Sequence, residues 1–162
     1  MVYARKLLQA TIKKEIHTMK PNNMTGYLQA LTKIIEATDK TGGEMNPDFT
    51  KLSDAIDKDK VADLDEATLT AIKATFQKGT DAYTDNLNQL QQASVPVRLL
   101  GKHKQLVAAY RNYADACQKM VDAIDPAAQT VDTEAFDASE NEQENMMDKV
   151  TSATQRIMSS VM

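Results

Sequence analysis

A chain of 162 residues with a formal net charge of −4 is long enough for one domain and too acidic to bind nucleic acid by neutralising phosphates wholesale. Apolar residues at 42% and charged ones at 26% exclude the signature of disorder, and nine Met with no Trp point to an aliphatic, Met-filled core. The single cysteine, Cys117, excludes an internal disulfide and a Cys/His zinc set.

The first element expected is an amphipathic helix over Val2 to Met19, with Leu8, Ile12, Ile16 and Met19 on one face. Pro21 and the Asn22-Asn23 pair break it from a second stretch carrying Tyr27, Leu28, Leu31, Ile34 and Ile35. Thr41-Gly42-Gly43 reads as the end of that helix, and Asn46-Pro47 as the cap and first residue of a short turn through Ile56. The long connection is therefore placed at about 41–63. Asp63 and Glu66 have the form of a capping box for the next helix, whose stripe is Leu69, Ile72, Phe76, Gly79, Tyr83 and Leu90.

Ser94-Val95-Pro96 breaks the chain again before the clearest stripe: Leu99, His103, Leu106, Tyr110, Tyr113, Cys117, Met120 and Ile124, at alternating steps of four and three. Asp125-Pro126 ends it, and Asp132 or Thr133 caps the last helix, through Phe136, Met147, Val150, Ile157 and Val161. Glu140 and Gln143 interrupt that last stripe near its start, so its first two turns are expected to be more exposed than the rest. Short connections between long helices imply antiparallel neighbours. The fold expected is all-α, an antiparallel up-and-down bundle of four to five helices in a single domain over 1–162.

Chemistry can be sought in the uses to which bundles are put. A carboxylate-bridged di-metal centre needs inward Glu-x-x-His pairs, but the residues three before His17 and His103 are Lys14 and Leu100. The Asp57, Asp59, Asp63, Asp65 cluster fails as a calcium loop, with Ala62 at the glycine position and Thr68 at the twelfth. No Gly-rich phosphate loop is present, and Cys117 falls on a core stripe, where a thiol is inert. The residues thus give no catalytic constellation, and an enzyme, a cofactor or a metal is not expected.

One segment departs from helix electrostatics. Arg98, Lys102 and Lys104, with His103, crowd the start of the 97–124 helix, where the macrodipole favours anions. One reading is an anion or phosphate site with His103 as a donor. The other pairs the cations with Asp81 and Asp85 across a hairpin and leaves His103 in the core; it is preferred because exposed cations at a helix start cost only about 0.3–1 kcal/mol each.

Residues 1–20 carry five cations against Glu15, whereas Asp132 to Asp148 hold seven carboxylates and no cation. The first helix could thus lie on an anionic membrane through Leu7, Leu8, Ile12 and Ile16, though an ordinary bundle helix with solvated cations is the simpler reading. The methionines near the C-terminus, Met146, Met147, Met158 and Met162, follow the helical stripe and read as core filler. Without a secretory apolar region in residues 1–20 or a membrane-length apolar run, the chain is expected in the cytoplasm, although a removed export signal would leave no trace. The function expected is that of a non-enzymatic module binding a protein partner or itself. The alternative is a small anion or phosphate binder using the start of the 97–124 helix.

Overall fold

The computed structural model describes residues 23–161. The amphipathic helix expected over Val2 to Met19, and the break at Pro21, lie outside the described residues. Four long helices follow: α1 (Asn23–Asp57), α2 (Glu66–Gln92), α3 (Leu100–Asp122) and α4 (Thr133–Ser159). They form the all-α, helical-bundle packing that the stripes require. Among the described residues, no helix is long and apolar enough to cross a membrane.

The helix α1 corrects the expected loop at 41–63, because it runs without interruption through Gly42-Gly43 and Pro47. The core register explains this: Leu31, Ile34, Thr38, Gly42, Met45, Leu52 and Ala55 are buried at helical steps across the supposed break. Pro47 removes one intrahelical hydrogen bond, but Gly43, Glu44, Asn46 and Pro47 all face solvent, where water can take the freed carbonyl. Tertiary burial here outweighs local propensity.

The helix stops instead at Asp59, whose φ of 52° is left-handed. Asp59 N–H donates to Ile56 at 3.0 Å and Lys60 N–H to Ala55 at 2.7 Å, the paired bonds of a Schellman end with Asp in the usual glycine place. The next cap is Asp65, two residues after the one expected, and its carboxylate accepts from Thr68 N–H at 2.7 Å. Hydrogen bonds from Thr68 hold that carboxyl below its ordinary range. Asp132, one of the two expected caps, accepts from Ala135 N–H at 3.0 Å at the start of α4.

Between α3 and α4 lies a small antiparallel hairpin, β1 (Ile124–Asp125) with β2 (Thr130–Val131), in the register Ile124 opposite Val131. Lys73 of α2 donates to the Ile124 carbonyl at 2.8 Å, and Gln129 to the Leu64 carbonyl at 3.0 Å, tying this end of the bundle together. The core is closed around Leu28, Leu52, Leu69, Phe76, Leu106, Met120 and Ile157, all without exposure. Each such side chain contributes about 1.5–3 kcal/mol by leaving water. Phe49 of α1 stacks on Phe136 of α4, with ring centroids 6.0 Å apart.

The first two turns of α4 are the more exposed part of that helix, as expected: Thr133, Glu134, Asp137 and Ala138 face solvent, and only Phe136 and Ser139 are buried there. Gln143, one turn further on, is buried too: Ser139 donates to the Ala116 carbonyl of α3, and Gln143 Nε2 donates to Ser139 Oγ and reaches Met120 Sδ.

Two glycines make opposite demands on the packing. A Cβ at Gly79 would collide with the buried Met45 side chain, whereas one at the exposed Gly43 meets nothing within 4 Å. Gly43→Ala is expected to raise stability by about 0.5–1 kcal/mol through helix propensity. Gly79→Ala should lower it, since overpacking costs about 1–3 kcal/mol against a propensity gain of at most about 1. Urea unfolding of the two variants beside the parent chain measures both signs.

Candidate functional site

The four residues singled out at the start of the 97–124 helix do not converge. A short 3-10 turn (Val97–Leu99) leads into α3, whose first residue lacks a side-chain cap. Arg98 and Lys104 are exposed. Lys102 faces a groove with Ser152, Gln155 and Arg156 of α4, while Lys104 lines a different groove with Gln91, Ala93 and Val95. Successive helical residues diverge by about 100°, so Lys102 is turned away from the groove that Lys104 lines together with an edge of the buried His103.

His103 is turned fully inward, at 4% exposure. Its Nδ1 lies 2.8 Å from Tyr27 Oη and its Nε2 2.9 Å from the Leu90 carbonyl oxygen. A carbonyl can only accept, so Nε2 carries the proton and Nδ1 accepts from the Tyr27 hydroxyl. Burial pushes the His103 pKa below 6.5, partly countered by the Leu90 bond, and both nitrogens are engaged. His103 therefore has no free N–H to offer an anion, so of the four residues at Arg98, Lys102, His103 and Lys104 only the three cations remain available to one. The competing pairing is absent: no ion pair joins these cations to Asp81 or Asp85 among the described residues, and Asp81 accepts from Gln77 at 2.9 Å instead. Of that second reading, only the core position of His103 is observed.

The interior polar groups form relays from helix to helix. Thr38 Oγ1 on α1 donates to the Ile34 carbonyl at 2.8 Å, which uses its one proton. The Tyr110 hydroxyl on α3 consequently donates to Thr38 Oγ1 at 2.6 Å, and Asn86 Nδ2 on α2 donates to Tyr110 at 3.0 Å. The Tyr27–His103–Leu90 chain joins the same three helices closer to the α2–α3 turn. A third chain docks α4, with Gln143 Nε2 donating to Ser139 Oγ at 3.0 Å and Ser139 donating to the Ala116 carbonyl at 2.6 Å.

Around the middle relay, Tyr83, Tyr110 and Tyr113 meet edge to face with centroids 5.0 to 6.5 Å apart. Burial pushes the Tyr110 hydroxyl up to about 12 and the adjacent Cys117 thiol up to about 12, so both stay protonated at neutral pH. Cys117 is fully buried, as its stripe position implied, and as a neutral thiol it is a poor nucleophile.

Among the described residues, no group of three His, Cys, Asp or Glu side chains could hold a metal ion. Large apolar side chains remain exposed at one corner only of the described surface: Val97 at 90% and Leu100 at 42%, on the turn between α2 and α3. Comparison with family models, with curated proteins and with solved structures finds no match to this chain.

Sequence reasoning missed Thr38, Asn86, Ser139 and Gln143 as relay members. Each occupies a vacant place in a core stripe, as Asn86 does between Tyr83 and Leu90, and a polar residue at such a place signals a buried partner.

The histidine relay has a pH signature. The unfolded chain takes up the His103 proton near 6.5, whereas the folded chain resists it to a lower pH, so stability is full above about 6.5 and falls as pH drops toward the folded value. One proton sets an upper slope of about 1.4 kcal/mol per pH unit. Urea midpoints between pH 7.5 and 5.5, a window above the carboxylates, should decline for the parent chain and lose that component in His103→Gln.

Proposed function

We propose that this chain is a non-enzymatic helical-bundle module that acts by binding protein, a partner or a second copy of itself. The observation that supports this reading is the distribution of its surface. Exposed large apolar side chains in the described residues gather at the α2–α3 turn, at Val97 and Leu100, and such a patch is the mark of a contact surface. The chemistry-bearing groups point elsewhere: His103, Tyr110 and Cys117 are buried, and the first two are bound into relays between helices.

We place this work in the cytoplasm, since a lone buried thiol requires no oxidising compartment. Native mass spectrometry of the purified chain tests the class of function directly. A bare assembly, or added mass of a second protein, is expected. A monomer carrying a stoichiometric small molecule or metal would overturn the reading.

A further inference from the structure

We propose that the groove beside the α2–α3 turn is the docking site for an acidic, amphipathic segment of a partner protein. This rests on the reading that the chain acts by binding protein, and it names the surface and the chemistry of what binds there.

The groove has a volume of about 540 Å³ and runs along α3. Its floor on that helix is Leu100, Lys104, Val107 and Arg111, at steps of four, three and four, which places them on one face. Ala93 and Val95, from the end of α2 and the turn, form the opposite wall. Leu100 is exposed and Val95 and Val107 are half-buried, so the apolar floor is only partly covered.

Lys104 and Arg111 are exposed and make no ion pair with any described residue. Seven helical residues apart, they stand about 10 Å from each other along the axis. The groove therefore sets Val107 and Ala108 between two cations that no described residue pairs, with Leu100 one turn before Lys104. Its complement is a segment with an apolar anchor flanked by carboxylates at about that separation.

Other occupants fit less well. Two copies meeting groove to groove would set Lys104 and Arg111 against their own kind. The acidic face of α4 offers exposed Glu134, Asp137, Glu142 and Asp148, but no exposed large apolar anchor among them. Residues 1–20 carry five cations against one carboxylate, the wrong sign for this surface. A flat bilayer would reach Val97 at the turn but not a groove that follows α3 for about 16 Å.

The test uses the whole chain and a fluorescein-labelled 18-residue peptide of Leu and Glu, with Leu at helical spacing, beside a matched peptide with Lys for Glu. Fluorescence anisotropy should show saturable binding of the Glu peptide, weakened by added salt, and none of the Lys peptide. Lys104→Glu combined with Arg111→Glu should weaken binding at least tenfold, and Leu100→Asp similarly. Lys102→Glu, on the other side of α3, should leave it unchanged. All four positions lie at the surface, and circular-dichroism melts confirm that each variant keeps its fold.

The inference is overturned if the Glu peptide fails to bind, if the paired variant binds it as the parent does, or if phosphatidylserine vesicles but not the peptide are held through Lys104 and Arg111. These failures are separable from failure of the broader reading. Protein assemblies in native mass spectrometry that are indifferent to Lys104 and Arg111 would sink the groove and leave the module standing.

Discussion

The Tyr110 hydroxyl is sealed among α1, α2 and α3, and a buried hydroxyl left without a partner costs about 1–3 kcal/mol. It is satisfied only when Thr38, already committed to the Ile34 carbonyl, stands on one side and Asn86 on the other. Apolar stripes repeating every 3.5 residues would pack nearly as well after a slide of one heptad. A relay of defined donors and acceptors would not, because the slide strands each of them in a dry interior. The Tyr27–His103–Leu90 and Gln143–Ser139–Ala116 chains impose the same condition elsewhere, so all four helices are held in one register.

That division of labour shapes what the molecule can do. His103, Tyr110 and Cys117 are buried and kept in their neutral forms, and the first two are tied to neighbouring helices. What the described residues turn to solvent is a mixed-charge surface with one apolar corner. The recognition proposed for that corner would need only a rigid scaffold that holds α3 and the α2–α3 turn at a fixed separation. The relays supply this rigidity, since the Leu90 carbonyl and His103 join the two helices beside the groove.

Much of the architecture was legible in the sequence. The stripes from Leu69 to Leu90 and from Leu99 to Ile124 placed α2 and α3, and Asp132 was readable as a cap because its carboxylate stands three residues before an unpaired backbone N–H. The merging of two expected elements into α1 was not legible, because Gly42-Gly43 and Pro47 are local stop signals that only a continuous buried face overrides. The burial of Gln143 was hidden for a related reason: it looks like a solvent residue until Ser139 and Met120 are seen beside it. The cluster at Arg98, Lys102, His103 and Lys104 is divided by helical geometry, with Lys102 and Lys104 lining different grooves, a division that sequence adjacency conceals. The groove could not be read from the sequence, because it combines α3 with the end of α2.

A double-mutant cycle on Thr38→Val and Tyr110→Phe tests the central claim, that the relays act as coupled units rather than as separate polar contacts. Unfolding free energies of the parent, the two single variants and the double variant give the coupling directly. The account predicts non-additivity of about 0.5–3 kcal/mol, the second substitution costing less once the first has broken the chain. Additivity within about 0.3–0.5 kcal/mol would contradict it, and would leave the register to the apolar stripes alone.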